Sequence, residues 1–532
     1  MTGPHSEGDT AIRDLAALVE HASAPGGGFE LCAGGLRCSG AEFAARVRAA
    51  AAGLRSLGLS TGDRVAVLLP RCVEEAVAIC AAAVAGGIAV PIHGKLKDDQ
   101  VAHILADAAP FAVVTSSVRL LALRDPGAVL AGHRILRVDD GALPVASTAF
   151  ADLAGDAAAL PRPTPRDPAV LLYTSGSTGL PKGIVQDHHN LCLGAAVVAN
   201  YLRLTAADHL LALLPFSFDY GLNQLLSALH AGCRVTAADP LGAGELHELL
   251  RTVRPSGIAG VPSLWHQVAA SLTSGTLTAE DGASLRYVTN SGGALRTSDS
   301  AVLRRCWPHV EVYAMYGLTE AFRSAFLPPA EFDAHPDSFG RAIAGVELLL
   351  VDPGSGAVLE GPATGELVHA GTMVAQGYWR RPDATAERFR ADPRGGPGTV
   401  VYSGDLVRRD AAGRHFFVAR RDRLLKVHGH RVSPDEVAAA VAGCPGVGEV
   451  AVLGVPAGAE GHRIVLCVSG DPADGDLRRQ VVARCRTRLP SFMQPAEVVV
   501  LSALPHNSNG KVDEAALRAN LRSCTDDTST SC

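Results

Sequence analysis

The stretch "LLYTSGSTGLPKGI", Leu171 to Ile184, decides how this chain is read. The apolar run "AVLLYT" (169–174) predicts a strand, and "DHHNLCLGAAVVANYL" after the stretch predicts a helix. A glycine-rich turn between strand and helix presents backbone N–H groups, which bind phosphate oxygens. Gly176 and Gly179 give that turn its freedom. Thr174, Ser175, Ser177 and Thr178 add hydroxyl donors, and Lys182 adds a positive charge. A Walker A loop needs GxxxxGK[ST], and the order here differs, so an ordinary P-loop fold is not supported. A flexible surface turn is the alternative, and this stretch alone leaves both readings open.

The chain around it has 532 residues, too many for one compact core. Hydrophobic residues make up 47% and charged residues 19%, the balance of a globular protein. The formal net charge of −6, with no strongly basic segment, argues against nucleic acid as a partner. No apolar run is long enough to span a membrane, and "MTGPHSEGD" lacks the pattern of a secretory signal. A cytoplasmic protein is expected. Twelve scattered cysteines form no CxxC pair and read as small buried apolar residues in a reducing compartment.

Strands and helices alternate from residue 1 to 160, which predicts an α/β unit with a parallel sheet. Proline-rich "PRPTPRDP" (161–168) opens a second α/β unit running to 334. Short strands around glycine turns then predict a small β-barrel-like subdomain over 335–421. A small, mobile α+β C-terminal domain is expected over 422–521, and the polar residues 522–532 read as a disordered tail. The fold class is α/β.

The opening stretch has companions. "MYGLTE" (315–320), "VYSGDL" (401–406), "ARRDRLLKVHGHRVSPDEV" (419–437) and "NSNGKVD" (507–513) follow it along the chain. Together these resemble, in order, the motifs of the adenylate-forming superfamily: acyl-CoA synthetases, nonribosomal-peptide adenylation domains, aryl-acid ligases and firefly-type luciferases. The resemblance implies ATP and Mg²⁺ as cofactors. It implies a reaction in two halves: a carboxylate and ATP give an acyl-adenylate, which a phosphopantetheine thiol then converts to a thioester.

The resemblance also implies roles. Two anions must meet, so positive charge must cover both. Lys511 resembles the lysine that bridges carboxylate and α-phosphate; a solvated surface lysine is the plainer reading. Glu320 resembles the Mg²⁺ ligand, with Thr319 and Thr174 at the phosphates. Asp405 resembles the ribose binder, supported by Arg420. Tyr316, with Gly317 behind it, is expected to stack on adenine, with the backbone of Gly292, Gly293 and Ala294 on the other side. Ala314 stands where the family often has asparagine. Asp422 matches the hinge about which the C-terminal domain turns, after which Lys426 and Gly429 would face the thiol.

"PFSFDYGLNQLL" (215–226) resembles the family's acyl-pocket helix. Asp219 stands where amino-acid-activating members pair an aspartate with the substrate ammonium; the alternative is an N-cap aspartate. Tyr220, Asn223, Ala259, Thr289, Ser291, Met315, Arg323 and Ser324 are expected along the same pocket. Arg323 either meets a second substrate carboxylate or pairs with a protein acid. "FDYGLN" with "TEAFRS" resembles free-standing enzymes that load β-amino acids onto carrier proteins in natural-product biosynthesis. The expected function is therefore adenylation of an amino acid, β rather than α, and transfer to a separate carrier protein. The alternative is an acyl-CoA ligase for an uncharged acid.

Overall fold

The computed structural model describes residues 12–24, 27–175, 181–240, 242–421, 425–427, 430–457, 462–489, 491–507 and 510–526. Apolar runs bounded by turns form two large sheets, with helices packed on them. The first sheet runs Ser147–Ala149, Ile135–Arg137, Ala112–Thr115, Arg64–Leu68, Ile88–Pro91, Pro168–Ser175, Pro181–Asp187, with only the last pair antiparallel. Helix Val73–Val84 is apolar nearly all round and buries every residue but Glu74. Its alanines allow close approach to neighbours in the main core.

The second sheet holds parallel strands Glu30–Ala33, Arg234–Ala237, His209–Ala212, Gly257–Gly260, Tyr287–Asn290 and Glu311–Tyr316. It continues antiparallel through Ala325–Leu327 and Ser338–Ala342 into His415–Arg420, Thr399–Arg409, Ala363–Gly371 and Val346–Val351. The expected β unit is thus hydrogen-bonded edge-on to the second sheet.

Three readings change. The segment after the opening stretch does not lead straight into a helix. "PKGIVQD" (Pro181–Asp187) is a strand that folds back on Pro168–Ser175, so residues 176–180 join a hairpin. Its short apolar centre, Ile184 and Val185, is flanked by polar residues that hide the strand in the sequence, yet Gln186 and Asp187 are also buried. The helix His188–Tyr201 starts only after it, capped by Asp187. Second, the 160/161 boundary does not divide the sheets. Pro168–Asp187 completes the first, while Glu30–Ser39 lies in the second. Third, helix Glu514–Asp526 continues past residue 521, where the tail was expected to begin. Leu517 and Leu521 pack on the C-terminal sheet.

That sheet pairs Val450–Pro456 with His462–Ser469 and Glu497–Leu501. With helices Pro434–Val441 and Gly475–Arg488 it encloses a core of its own. Among the described residues no helix is long and apolar enough to cross a membrane.

Helix Asp219–Ala231 sits close to the loop before it. A Cβ on Gly221 would lie 2.1 Å from the Pro215 carbonyl oxygen and 2.6 Å from that of Leu214. Gly221→Ala should therefore lower stability by about 1–3 kcal/mol through overpacking. Urea denaturation reads this; an unchanged midpoint would mean that the helix moves off the loop freely.

Candidate active site

Loops at the carboxyl ends of parallel strands are where α/β sheets place their ligands. Strand Glu311–Tyr316 ends in the "GLTE" turn, where Thr319–Ala321 forms a single 3₁₀ turn. The turn is held from both sides. Gln186 Nε2 donates to the Thr319 carbonyl, and Ala375 N donates to the Glu320 carbonyl at 2.9 Å. Tyr378 OH donates to Glu320 Oε1 at 2.6 Å. Lys182 Nζ lies 5.5 Å from the Tyr378 ring centroid, and the hairpin register sets Thr174 opposite Lys182. Thr174, Lys182, Thr319 and Glu320 thus share one corner. The side chain of Ser175 and all of Gly176, Ser177, Thr178 and Gly179 lie outside the described residues.

Asp405 and Arg420 are direct cross-strand partners, joined by an ion pair of 3.1 Å. Gly404 before Asp405 adopts φ +75°, and a Cβ there would strike Arg388 Nη1 at 2.5 Å. Tyr316 OH also donates to Asp405. The Tyr316 ring stacks on Phe339 at 4.4 Å and lies nearly parallel to His369 at 5.8 Å. Burial pushes the His369 imidazole down to about 3, so it is neutral. The stacking partner that the structure gives Tyr316 is therefore aromatic protein. Gly317 follows beside the Arg323 backbone. Asn290 Nδ2 donates to the Gly293 carbonyl at 2.8 Å, which fixes the turn through Gly292, Gly293 and Ala294.

Lys511 is held in a tight turn. Asn507 Oδ1 accepts from Lys511 N at 3.1 Å, and Gly510 takes φ +74° with its Cα face against Ser263 Oγ. Lys511 Cε comes within 3.7 Å of where a Gly292 Cβ would lie. Arg296 Nη1 donates to the Gly448 carbonyl at 2.8 Å and helps moor the C-terminal domain. Lys511 is an exposed residue, and its side chain lies against the Gly292 turn. Asp422 and Gly429 lie outside the described residues, as does the side chain of Lys426.

The residues expected along the acyl pocket form a buried charge cluster. Asp219 is 4% exposed and is the first residue of its helix, not the cap, which is Phe218. Its Oδ1 accepts from Tyr220 N at 2.8 Å. Arg323, 3% exposed, places Nη2 3.8 Å from Asp219 Oδ2 and lies over the Tyr220 ring at 4.9 Å. Burial raises the Asp219 carboxyl above its usual range, opposed by the charges of Arg323 and Lys511. Arg323 thus meets a protein acid, at ion-pair but not hydrogen-bond distance. Tyr220 OH and Thr289 Oγ1 are hydrogen-bonded. Ala259, Ser291 and Ser324 are buried nearby, Asn223 Oδ1 accepts from Ser227, and Met315 Sδ accepts from Tyr201 OH at 3.2 Å. Phe322 adopts φ 47°, rare outside glycine, and its ring occupies the space that Gly194 leaves.

Residues 18–379 match the model of the AMP-binding enzyme family, and residues 436–511 match that of the AMP-binding enzyme C-terminal domain. The chain belongs to the AMP-binding enzyme family. This adenylate-forming ligase is 34% identical to the L-proline–[L-prolyl-carrier protein] ligase of Streptomyces coelicolor, over 89% of this chain and 90% of the relative. It is 33% identical to CymA of Salinispora arenicola, a probable non-canonical nonribosomal peptide synthetase, over 86% of this chain but 6% of that protein. Among solved structures, the ATP-bound MatB of Rhodopseudomonas palustris superposes with a TM-score of 0.82 at 27% identity. That match covers 95% of this chain and 99% of MatB.

Tyr378, Gln186, Phe339, Arg296 and Ser263 contact or neighbour the candidate residues and carry no motif that sequence reading could seize. Tyr378 sits in "AQGYW", whose backbone pairs with the hairpin strand at Ile184. Tyr378→Phe removes the donor to Glu320. A hydrogen bond to a charged group is worth about 1.5–3 kcal/mol. ATP-dependent pyrophosphate exchange should accordingly fall by roughly tenfold or more while the unfolding midpoint holds; an unchanged rate would detach Tyr378 from the reaction.

Proposed function

We propose that the enzyme adenylates an amino acid with ATP and transfers it to the phosphopantetheine thiol of a separate carrier protein. The observation that carries this is Lys511, reaching across the domain cleft to Gly292, with the buried Asp219 carboxylate in the same pocket. Adenylation needs a cation between carboxylate and α-phosphate, and Lys511 supplies one. The carrier-protein ligase of Streptomyces coelicolor supports a carrier as acceptor.

Asp219 holds the substrate ammonium. Its Oδ1 is occupied by Tyr220 N, and Oδ2 faces Arg323 at a distance that leaves it able to accept from an ammonium. The amine sits on the β carbon, a reading supported by the resemblance of "FDYGLN" and "TEAFRS" to β-amino-acid enzymes. Asp405 and Arg420 take the ribose, and Tyr316 with the Gly292–Ala294 turn takes the adenine. Glu320, whose second oxygen is not engaged by Tyr378, is the residue to hold Mg²⁺, which would neutralise phosphate charge. One observation favours the acyl-CoA ligase reading instead: Arg323 already gives Asp219 a protein cation.

Lys511→Ala should slow adenylate formation by about two to three orders of magnitude, because one charge on the transition state is worth about 3–4 kcal/mol. Thioester formation from supplied adenylate should be nearly spared; equal loss in both half-reactions would reject the role.

Asp219→Asn keeps shape and removes charge. Amino-acid activation should fall by roughly 3–5 kcal/mol in kcat/KM, since a buried ammonium loses its counter-charge. Matched α-amino, β-amino and des-amino acids compared by pyrophosphate exchange decide the matter. A wild type that prefers the des-amino acid would establish the acyl-CoA ligase reading.

A further inference from the structure

Helix Asp98–Ala108 lies outside the candidate site, yet it grips the corner that holds Thr174, Lys182 and Glu320 from behind. Val101, Ile104, Leu105 and Ala108 give the helix an apolar face. That face packs with Leu171 and Val185, one from each strand of the hairpin. Polar contacts add direction. Asp107, near the C-terminal end of the helix, accepts from Tyr173 OH through Oδ2 at 2.7 Å and from Arg381 Nη2 through Oδ1 at 2.9 Å. Its backbone carbonyl accepts from Trp379 Nε1 at 3.3 Å. One turn earlier, His103 Nε2 lies 3.0 Å from the Pro181 carbonyl, where the second hairpin strand begins. Arg64 Nε and Nη2 donate to the Ala108 and Ala109 carbonyls at 2.7 and 2.8 Å, and its guanidinium lies over the Trp379 ring.

The gripped residues stand beside the corner residues in the chain. Tyr173 precedes Thr174, Pro181 precedes Lys182, and Trp379 follows Tyr378, which donates to Glu320. Gly183 faces Tyr173 across the hairpin, and a Cβ there would come within 3.0 Å of the Tyr173 ring, so glycine gives that ring its room. Burial, then the Asp107 carboxylate, push the Tyr173 hydroxyl above its usual range, so it keeps the proton that it donates. An ionised acceptor makes the stronger hydrogen bonds, and one shared by two chain segments fixes them against each other. Groups that bind one phosphate chain together must each sit within about 0.5 Å of their place. We propose that Asp107 is a positioning residue for the triphosphate of ATP. It acts through Tyr173 on Thr174 and Lys182, and through the Trp379–Arg381 segment on Tyr378 and Glu320. The proposal rests on the reading of this corner as the phosphate site.

The test is calorimetric binding of MgATP and of AMP to the purified full-length enzyme. AMP keeps the adenine, the ribose and one phosphate, so it separates the corner from the rest of the nucleotide site. Asp107→Asn keeps the shape and removes the charge. It should weaken MgATP about tenfold, as expected for one hydrogen bond to a charged group, while AMP affinity and the unfolding midpoint hold. Tyr173→Phe keeps the ring and loses the donor; it should give the same split, and it carries the test if the asparagine variant folds poorly. Equal losses for the two nucleotides, or no loss for either, would overturn the role of Asp107. Lys182→Ala removes a charge from the corner itself and serves as the reference. If it too leaves MgATP binding unchanged, the corner holds no phosphate and both readings fall; if it weakens MgATP while the other two variants do not, the phosphate reading stands and the proposal alone fails.

Discussion

A carboxylate buried at the first turn of a helix, Asp219, organises the centre of this enzyme. An ion removed from water needs compensation, and here it comes from three directions. The helix N-terminus offers its dipole and the Tyr220 amide. Arg323 arrives from the turn after "GLTE". Lys511 contributes its field from the C-terminal domain. These partners come from distant parts of the sequence and meet only in the fold.

The two large sheets make such convergence possible. Each borrows strands from the other's stretch of sequence, so neither sheet is complete without both. Parallel strands put their carboxyl ends on one side, and the loops there carry Asp219, Gly292, Tyr316 and Glu320. Antiparallel continuation of the second sheet then brings Asp405 and Arg420 to the same rim. Glycines serve at two points of close approach. Gly404 leaves room for Arg388, and Gly510 lets the lysine turn press on Ser263.

The sequence by itself determined the α/β class, the ordered motifs and the chemistry they imply. Through the family resemblance, the motifs marked Thr174, Lys182, Glu320, Asp405, Arg420 and Lys511 as candidates, and the fold pairs Thr174 with Lys182 and Asp405 with Arg420 across strands. Local pattern was less able to see the strand Pro181–Asp187, whose polar Gln186 and Asp187 are buried only by tertiary packing, Gln186 reaching the Thr319 carbonyl.

Only the tertiary structure decided who meets whom. Whether Arg323 faces a substrate or a protein acid depends on the approach of a helix and a turn about a hundred residues apart, and the fold sets it beside Asp219. Tyr378, Phe339 and Ser263 join the site through contacts that no local spacing encodes. The exchange of strands between sheets is likewise silent in the sequence. Periodicity reports which face of a strand is buried, and hydrogen-bond pairing across the fold determines which neighbour it takes.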